Sequence, residues 1–182
     1  SKIFYTFGDE KKANNISKKI INLRKLKKVE TQDLVKIIDI VYKKRFKKIH
    51  NSTKVFQALR IFVNNEISEL INGLINSFKL LPKGGIIVVV TFHSIEDKIV
   101  KYFFHHYSQN KNFSRYLPEK EKKSILFNLP SKKPLTPDKD EVTKNPPSRS
   151  AKLRYAFKVN ENHDFSDFKK KFKYLLDVEN IN

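Results

Sequence analysis

The sequence predicts an α/β protein, and three observations predict it. Ile86–Phe92 is an unbroken run of apolar or β-forming residues. A half-exposed strand alternates, because successive side chains point to opposite faces. A run without alternation reads as a strand buried on both faces, as in a parallel sheet flanked by helices. Second, the stretch before it, "NSTKVFQALRIFVNNEISELINGLINSFKLL", is the longest periodic segment and stops at Pro82-Lys83-Gly84-Gly85. Third, Ile95, Ile99, Phe103 and Tyr107 recur every four residues after the strand, so a helix begins again near Ser94. Helix, tight turn and buried strand make half of an α/β unit.

Taken in order, Ala13, Ile16, Ile20 and Leu23 mark an amphipathic helix from Asp9 to Arg24. A second helix follows a Thr31 cap, with Leu34, Ile37, Ile38 and Val41 on one side. The long helix is capped by Ser52 or Thr53 and buries Val55, Leu59, Phe62, Val63, Leu70, Leu74, Phe78 and Leu81. Residues 108–150 hold six of the seven prolines and read as loop. Within them "SILFNLPSKKPL" suggests an irregular strand, and Thr136-Pro137-Asp138 the start of a short helix. "RSAKLRYAFKV" alternates, with Leu153, Tyr155, Phe157 and Val159 on one face and Lys152, Arg154 and Lys158 on the other. It reads as a half-exposed strand near a sheet edge. Phe165, Phe168, Phe172 and Leu175 suggest a last helix over 165–176. No internal repeat is visible.

With 182 residues, 39% hydrophobic, the chain is long enough for one domain with a core, or one plus a small appendage. No apolar run approaches the roughly 20 residues that span a bilayer, so no membrane is expected. No export signal is visible, and the absence of cysteine excludes disulfides and thiolate zinc sites; a cytoplasmic protein is the simplest reading. There is no methionine, even at residue 1, which leaves room for a native start further upstream.

Charge is the most prominent global feature: 38 basic residues against 19 acidic, a formal +19. Such an excess favours polyanions, above all nucleic acid. Lysine supplies 32 of the 38, which also fits AT-biased coding and makes the six arginines more informative. Residues 1–50 carry 15 Lys/Arg against 5 Asp/Glu and read as part of a basic helical subdomain, with Lys43, Lys44, Lys47 and Lys48 at its densest point. The four glycines, Gly8, Gly73, Gly84 and Gly85, form no G-x-G-x-x-G and no P-loop.

Ligands of open α/β sheets sit beyond the carboxyl ends of the strands, where the next helix offers its N-terminus. His93 and Ser94 occupy that place. Ser94-Ile95-Glu96-Asp97 fits a capping box, which gives Ser94 and Asp97 a structural role and leaves His93 and Glu96 as site candidates. A metal set of His93, Glu96, Asp97 and His105 has no supporting motif spacing, and no metal is expected. Gln57, Arg60 and Asn64 share one face of the long helix and read as a solvated stripe, although Arg60 is one of the six arginines.

Four segments, "YTFGDEKKANNISKKI", "STKVFQALRIFVNNEISEL", "GGIIVVVTFHSIEDKIVKYFF" and "NPPSRSAKLRYAF", together resemble the bacterial MraW family, the rRNA cytosine-N4 methyltransferases. The resemblance covers roughly residues 1–160 and only the later part of the family's chain. It implies a partial class I, Rossmann-like methyltransferase sheet with part of an inserted basic helical domain. Residues 1–50 would belong to that insertion, 51–160 to the methyltransferase domain, and 161–182 to a lysine-rich helical extension without a family counterpart. It further implies S-adenosylmethionine as cofactor, with its glycine loop upstream of Ser1, and 16S rRNA in the small ribosomal subunit as partner. The target would be a cytidine of the decoding region. On this reading His93 and Glu96 line the base pocket, while Arg149, Arg60, Asn64 and Lys152 contact RNA. The fragment alone is expected to be inactive. The competing reading is a non-catalytic RNA-binding module with the same partial fold.

Overall fold

The computed structural model describes residues 1–43, 50–108, 125–161 and 163–181. Its elements are α1 (Lys2–Gly8), α2 (Ala13–Arg24), α3 (Thr31–Tyr42), α4 (Thr53–Val63), α5 (Glu66–Leu80), β1 (Ile86–Thr91) and α6 (Ser94–His106). These are followed by β2 (Phe127–Asn128), α7 (Lys139–Lys144), β3 (Lys152–Lys158), α8 (Ser166–Lys171) and α9 (Lys173–Glu179). They form two compact units, Ser1–Ser68 with Lys173–Asn182, and Glu69–Phe172.

The first unit is helical, with Phe4, Phe7, Ile16, Ile38, Val55, Ala58 and Ile61 in its core. The helix expected from Asp9 begins only at Ala13. Asp9 instead ends α1 in the left-handed conformation, φ 47°. α1 and α4 approach so closely that a Cβ on Gly8 would lie 2.5 Å from the Lys54 carbonyl oxygen, which only glycine avoids. α3 starts as expected, but its N-cap is Glu30, whose N–H donates to Asp33 Oδ2 at 3.1 Å. Of the lysines at the densest basic point, Lys44, Lys47 and Lys48 lie outside the described residues.

The long helix expected over 52–81 is two helices. Asn65 takes a left-handed conformation, φ 52°, which asparagine tolerates better than most residues. Such a break exposes the first N–H groups of a new helix. Here the carboxylate of Glu179 accepts them, from Ile67 at 2.8 Å and Ser68 at 2.9 Å. Its negative charge also suits the positive end of the α5 dipole. The last helix is likewise interrupted, at Phe172, giving α8 and α9.

The second unit is built on a three-stranded sheet in the order β1-β3-β2. β3 runs antiparallel to both neighbours, so β1 and β2 are parallel to each other. Gly84, φ 86°, makes the left-handed turn into β1, and its N–H donates to the Lys158 carbonyl at 2.8 Å. The core is largely aromatic. Phe103 packs against Phe127, Phe165 and Phe168 with ring centroids 5.3, 5.5 and 4.9 Å away.

Register decides which side of the sheet is covered. Pairing runs from Ile86↔Phe157 to Thr91↔Lys152, so Ile87, Val89 and Thr91 share a face with Arg154, Ala156 and Lys158. That face packs against α6 and the end of α5. Val88 and Val90, on the other face, remain 52% and 49% exposed, and Phe92 beyond them 56%. The expectation of a strand buried on both faces is therefore corrected: among the described residues, β1 is covered on one. The reading of β3 is corrected too. It is the central strand, and its charged side is the buried one, because each charge meets a partner. Lys158, 1% exposed, donates to the carbonyls of Phe78 at 3.0 Å and Leu81 at 2.6 Å, closing the C-terminus of α5, and pairs with Glu161 at 2.9 Å.

Candidate functional site

β1 delivers the chain to His93, where extended backbone (φ −136°, ψ 166°) changes to helix. His93, not Ser94, is the N-cap. Its Nδ1 accepts the Glu96 N–H at 3.4 Å, and Glu96 Oε2 accepts from the N–H groups of Phe92 at 2.8 Å and His93 at 3.2 Å. The second carboxylate oxygen stands 3.3 Å from His93 Nε2. This reverses the sequence expectation. The capping pair is His93 and Glu96, one residue earlier than predicted, because extended backbone ends at His93, two residues past β1. Burial pushes the Glu96 carboxyl up, but its bonds with His93 and Phe92 outweigh it and hold the group below the usual carboxylate range.

Asp97, expected to cap, turns to β3 instead. Its carboxylate accepts from Arg154 Nε at 2.7 Å and Lys152 Nζ at 3.0 Å. Burial raises its pKa, and the two cations outweigh that and lower it. The ion pairs join two of the four segments that carry the resemblance, "GGIIVVVTFHSIEDKIVKYFF" and "NPPSRSAKLRYAF", at the carboxyl end of β1. Arg154 Nη1 also donates to the Lys132 carbonyl at 3.2 Å, and His105 Nε2 to the same oxygen at 3.2 Å. Asp97 and His105 are thus turned away from His93 and Glu96, and the four do not offer a common metal ligand set.

The remaining candidates fall as follows. Lys152 reaches the site's edge but through Asp97. Arg149 lies exposed in a 3-10 turn, Pro146–Ser150, and donates to its own Pro146 carbonyl at 3.2 Å. Arg60 and Asn64 belong to the first unit and gather around Glu66, with Arg60 Nε at 2.7 Å and Asn64 Nδ2 at 3.4 Å. Sequence reasoning did not single out Arg154, Lys101 or Lys132. Arg154 carried a signal, being one of the six arginines in a lysine-biased chain. None of the four glycines stands between the end of a strand and the start of a helix: Gly8 ends α1, Gly73 lies within α5, and Gly84 and Gly85 precede β1. The residues present therefore do not fit the glycine-rich turn that S-adenosylmethionine needs in a Rossmann-like fold.

Helices packed on one side of a small antiparallel sheet, with a polar cluster at the end of β1, are consistent with part of a methyltransferase fold. The sequence model of the MraW methylase family matches residues 1–159, and the chain belongs to that family. It is 41% identical over 162 residues to the ribosomal RNA small subunit methyltransferase H of Sulfurihydrogenibium sp. (strain YO3AOP1), covering 86% of this chain and 50% of the relative. It is 43% identical over 161 residues to the protein of that name from Persephonella marina, covering 87% and 50%. For the Sinorhizobium fredii protein, also so named, identity is 44% over 155 residues, covering 84% and 46%. The chain thus spans about half the length of the curated relatives it matches.

Proposed function

We propose that this chain is part of an S-adenosylmethionine-dependent methyltransferase that acts on the N4 amine of a cytidine in the decoding region of 16S rRNA. The family match across residues 1–159 carries the reading. The cofactor's glycine-rich turn would come from the relatives' other half. Residues 1–50 would serve the inserted RNA-contacting domain, and 51–160 the methyltransferase domain. A cytoplasmic location goes with this substrate.

The chemistry suits the residues present. Cytosine N4 is a poor nucleophile, since its lone pair is delocalised into the ring. An enzyme must align it with the methyl donor and accept hydrogen bonds from the amine as charge develops. The base must also leave any stack. His93 and Glu96 would line the base pocket beyond β1, where Glu96 stays ionised and keeps acceptor capacity despite its capping bonds. Arg149, with its exposed guanidinium, is the first candidate for a phosphate or base contact, followed by Arg60 and Asn64. Lys152 would have to exchange Asp97 for RNA.

The test is methyl transfer to small ribosomal subunits by this chain extended through the relatives' other half, read by mass spectrometry of nucleosides. N4-methylcytidine is expected from the extended chain and none from residues 1–182 alone. Methylation at another position, or no transfer, would overturn the reading.

A further inference from the structure

α6 presents Lys98 and Lys101 to solvent, and the loop after β2 presents Lys132 and Lys133. That loop is held in place. Ser131 Oγ donates to the Lys133 carbonyl at 3.0 Å and accepts the Lys133 N–H at 3.1 Å. The Lys132 carbonyl between them receives both Arg154 and His105. A carbonyl only accepts, so His105 carries its hydrogen on Nε2. Burial lowers the pKa of His105, and the charges of Arg154, Lys101 and Lys132 lower it further against the opposing bond to the Lys132 carbonyl. The Arg154 guanidinium and the His105 ring therefore meet at one carbonyl oxygen.

The Asp97 carboxylate is already shared by Arg154 and Lys152. Among the described residues no carboxylate forms an ion pair with Lys101, Lys132 or Lys133. Compositional drift scatters lysines over solvated surfaces. It does not explain a buried arginine and a histidine fixing the backbone on which one of those lysines stands. Like charges held together repel, and an anionic partner relieves the repulsion.

We propose that the exposed side of α6 around Lys101 and the Ser131–Lys133 turn bind the phosphodiester backbone of single-stranded ribosomal RNA, with Lys101 and Lys132 as the contacts. This rests on the RNA substrate proposed above. A flexible strand tracked by lysines needs no base reading, and each phosphate contact releases counterions.

The experiment is a salt titration of the 182-residue chain against a single-stranded oligoribonucleotide containing the decoding-region cytidine. Lys101→Gln and Lys132→Gln are each expected to make the log–log salt slope shallower by about 0.7, the value for one contact on a single strand. Lys79→Gln, an exposed lysine on α5, should leave it unchanged. RNA should also shift the His105 ring resonances in the unaltered chain. A double variant with the original slope, or unmoved His105 signals on RNA binding, would overturn the site. Shallower slopes without methyl transfer by the extended enzyme would keep the site and sink the methyltransferase reading. Methyl transfer with unchanged slopes would do the reverse.

Discussion

Arg154 on β3 donates from Nε to Asp97 on α6 at 2.7 Å, and both side chains are largely shielded, 8% and 13% exposed. The pair fixes the carboxyl end of β1 to the start of α6. Deleting one member of a shielded pair leaves the other charge poorly compensated. Arg154→Ala is expected to cost about 3 kcal/mol, the low end for such pairs because Lys152 remains. Urea unfolding of the variant checks it, and a cost below about 1 kcal/mol would show the pair to be solvent-screened.

The same pair sets a pH dependence. Asp97 titrates below its ordinary value when folded, so its stabilisation is complete above about pH 4 and is lost as the pH falls through the depressed folded value. The stability gap between the unaltered chain and Asp97→Asn should therefore be constant near neutrality and close in acid. A gap that widens on acidification would contradict the assignment.

His93 and Glu96 cap α6, while Ser94 is its first helical residue. His93→Ala and Glu96→Ala should each cost about 1 kcal/mol of stability, the usual worth of a cap. Ser94→Ala should stay within about 0.5 kcal/mol, as surface changes do. Thermal melts separate the three, and a dominant Ser94 effect would restore the sequence-based cap. Any catalytic effect of His93 must then be read at matched folded fraction.

Glu179 supplies two acceptors to the N-terminus of α5. Glu179→Ala should cost about 1–3 kcal/mol, because buried N–H groups lose their partners. Hydrogen exchange at Ile67 and Ser68 should quicken in step. Unchanged exchange would mean that water replaces the carboxylate without penalty.

The uncovered side of β1 gives the last expectation. Ile86, Val88, Val90 and Phe92 are 45–56% exposed, and exposed apolar strands at a sheet edge invite self-association. Val88→Lys should lower concentration-dependent light scattering of the 182-residue chain. In the chain extended through the relatives' other half, the same change should destabilise, if that half covers this face. Equal behaviour in both would show that the face stays exposed.

Periodicity located most elements because apolar spacing reports which side of a segment is buried, whatever buries it. Leu74 and Phe78 on α5 and Ile99 and Phe103 on α6 follow that rule, whereas α4 buries Val55, Ala58 and Ile61 rather than the expected Leu59, Phe62 and Val63, the last of them 72% exposed. It located helix ends less well. Asn64-Asn65 permits a helix or a break, and the choice falls with Glu179, a carboxylate far along the chain. His93 and Ser94 can each cap, and the choice falls with where the extended backbone beyond β1 turns into helix, at His93.

The sequence by itself determined the family, through strings of fixed residue identity, and the helical or extended character of nearly every segment, through local sterics and spacing. Tertiary structure alone decided the burial of Arg154 and Lys158. Alternation along β3 defines two faces but not which one turns inward. The charged face went inside because Asp97 and the last carbonyls of α5 lie there to receive it. Burying a charge is costly until it is paired, and its partners are set by the packing of distant elements, which no local pattern records.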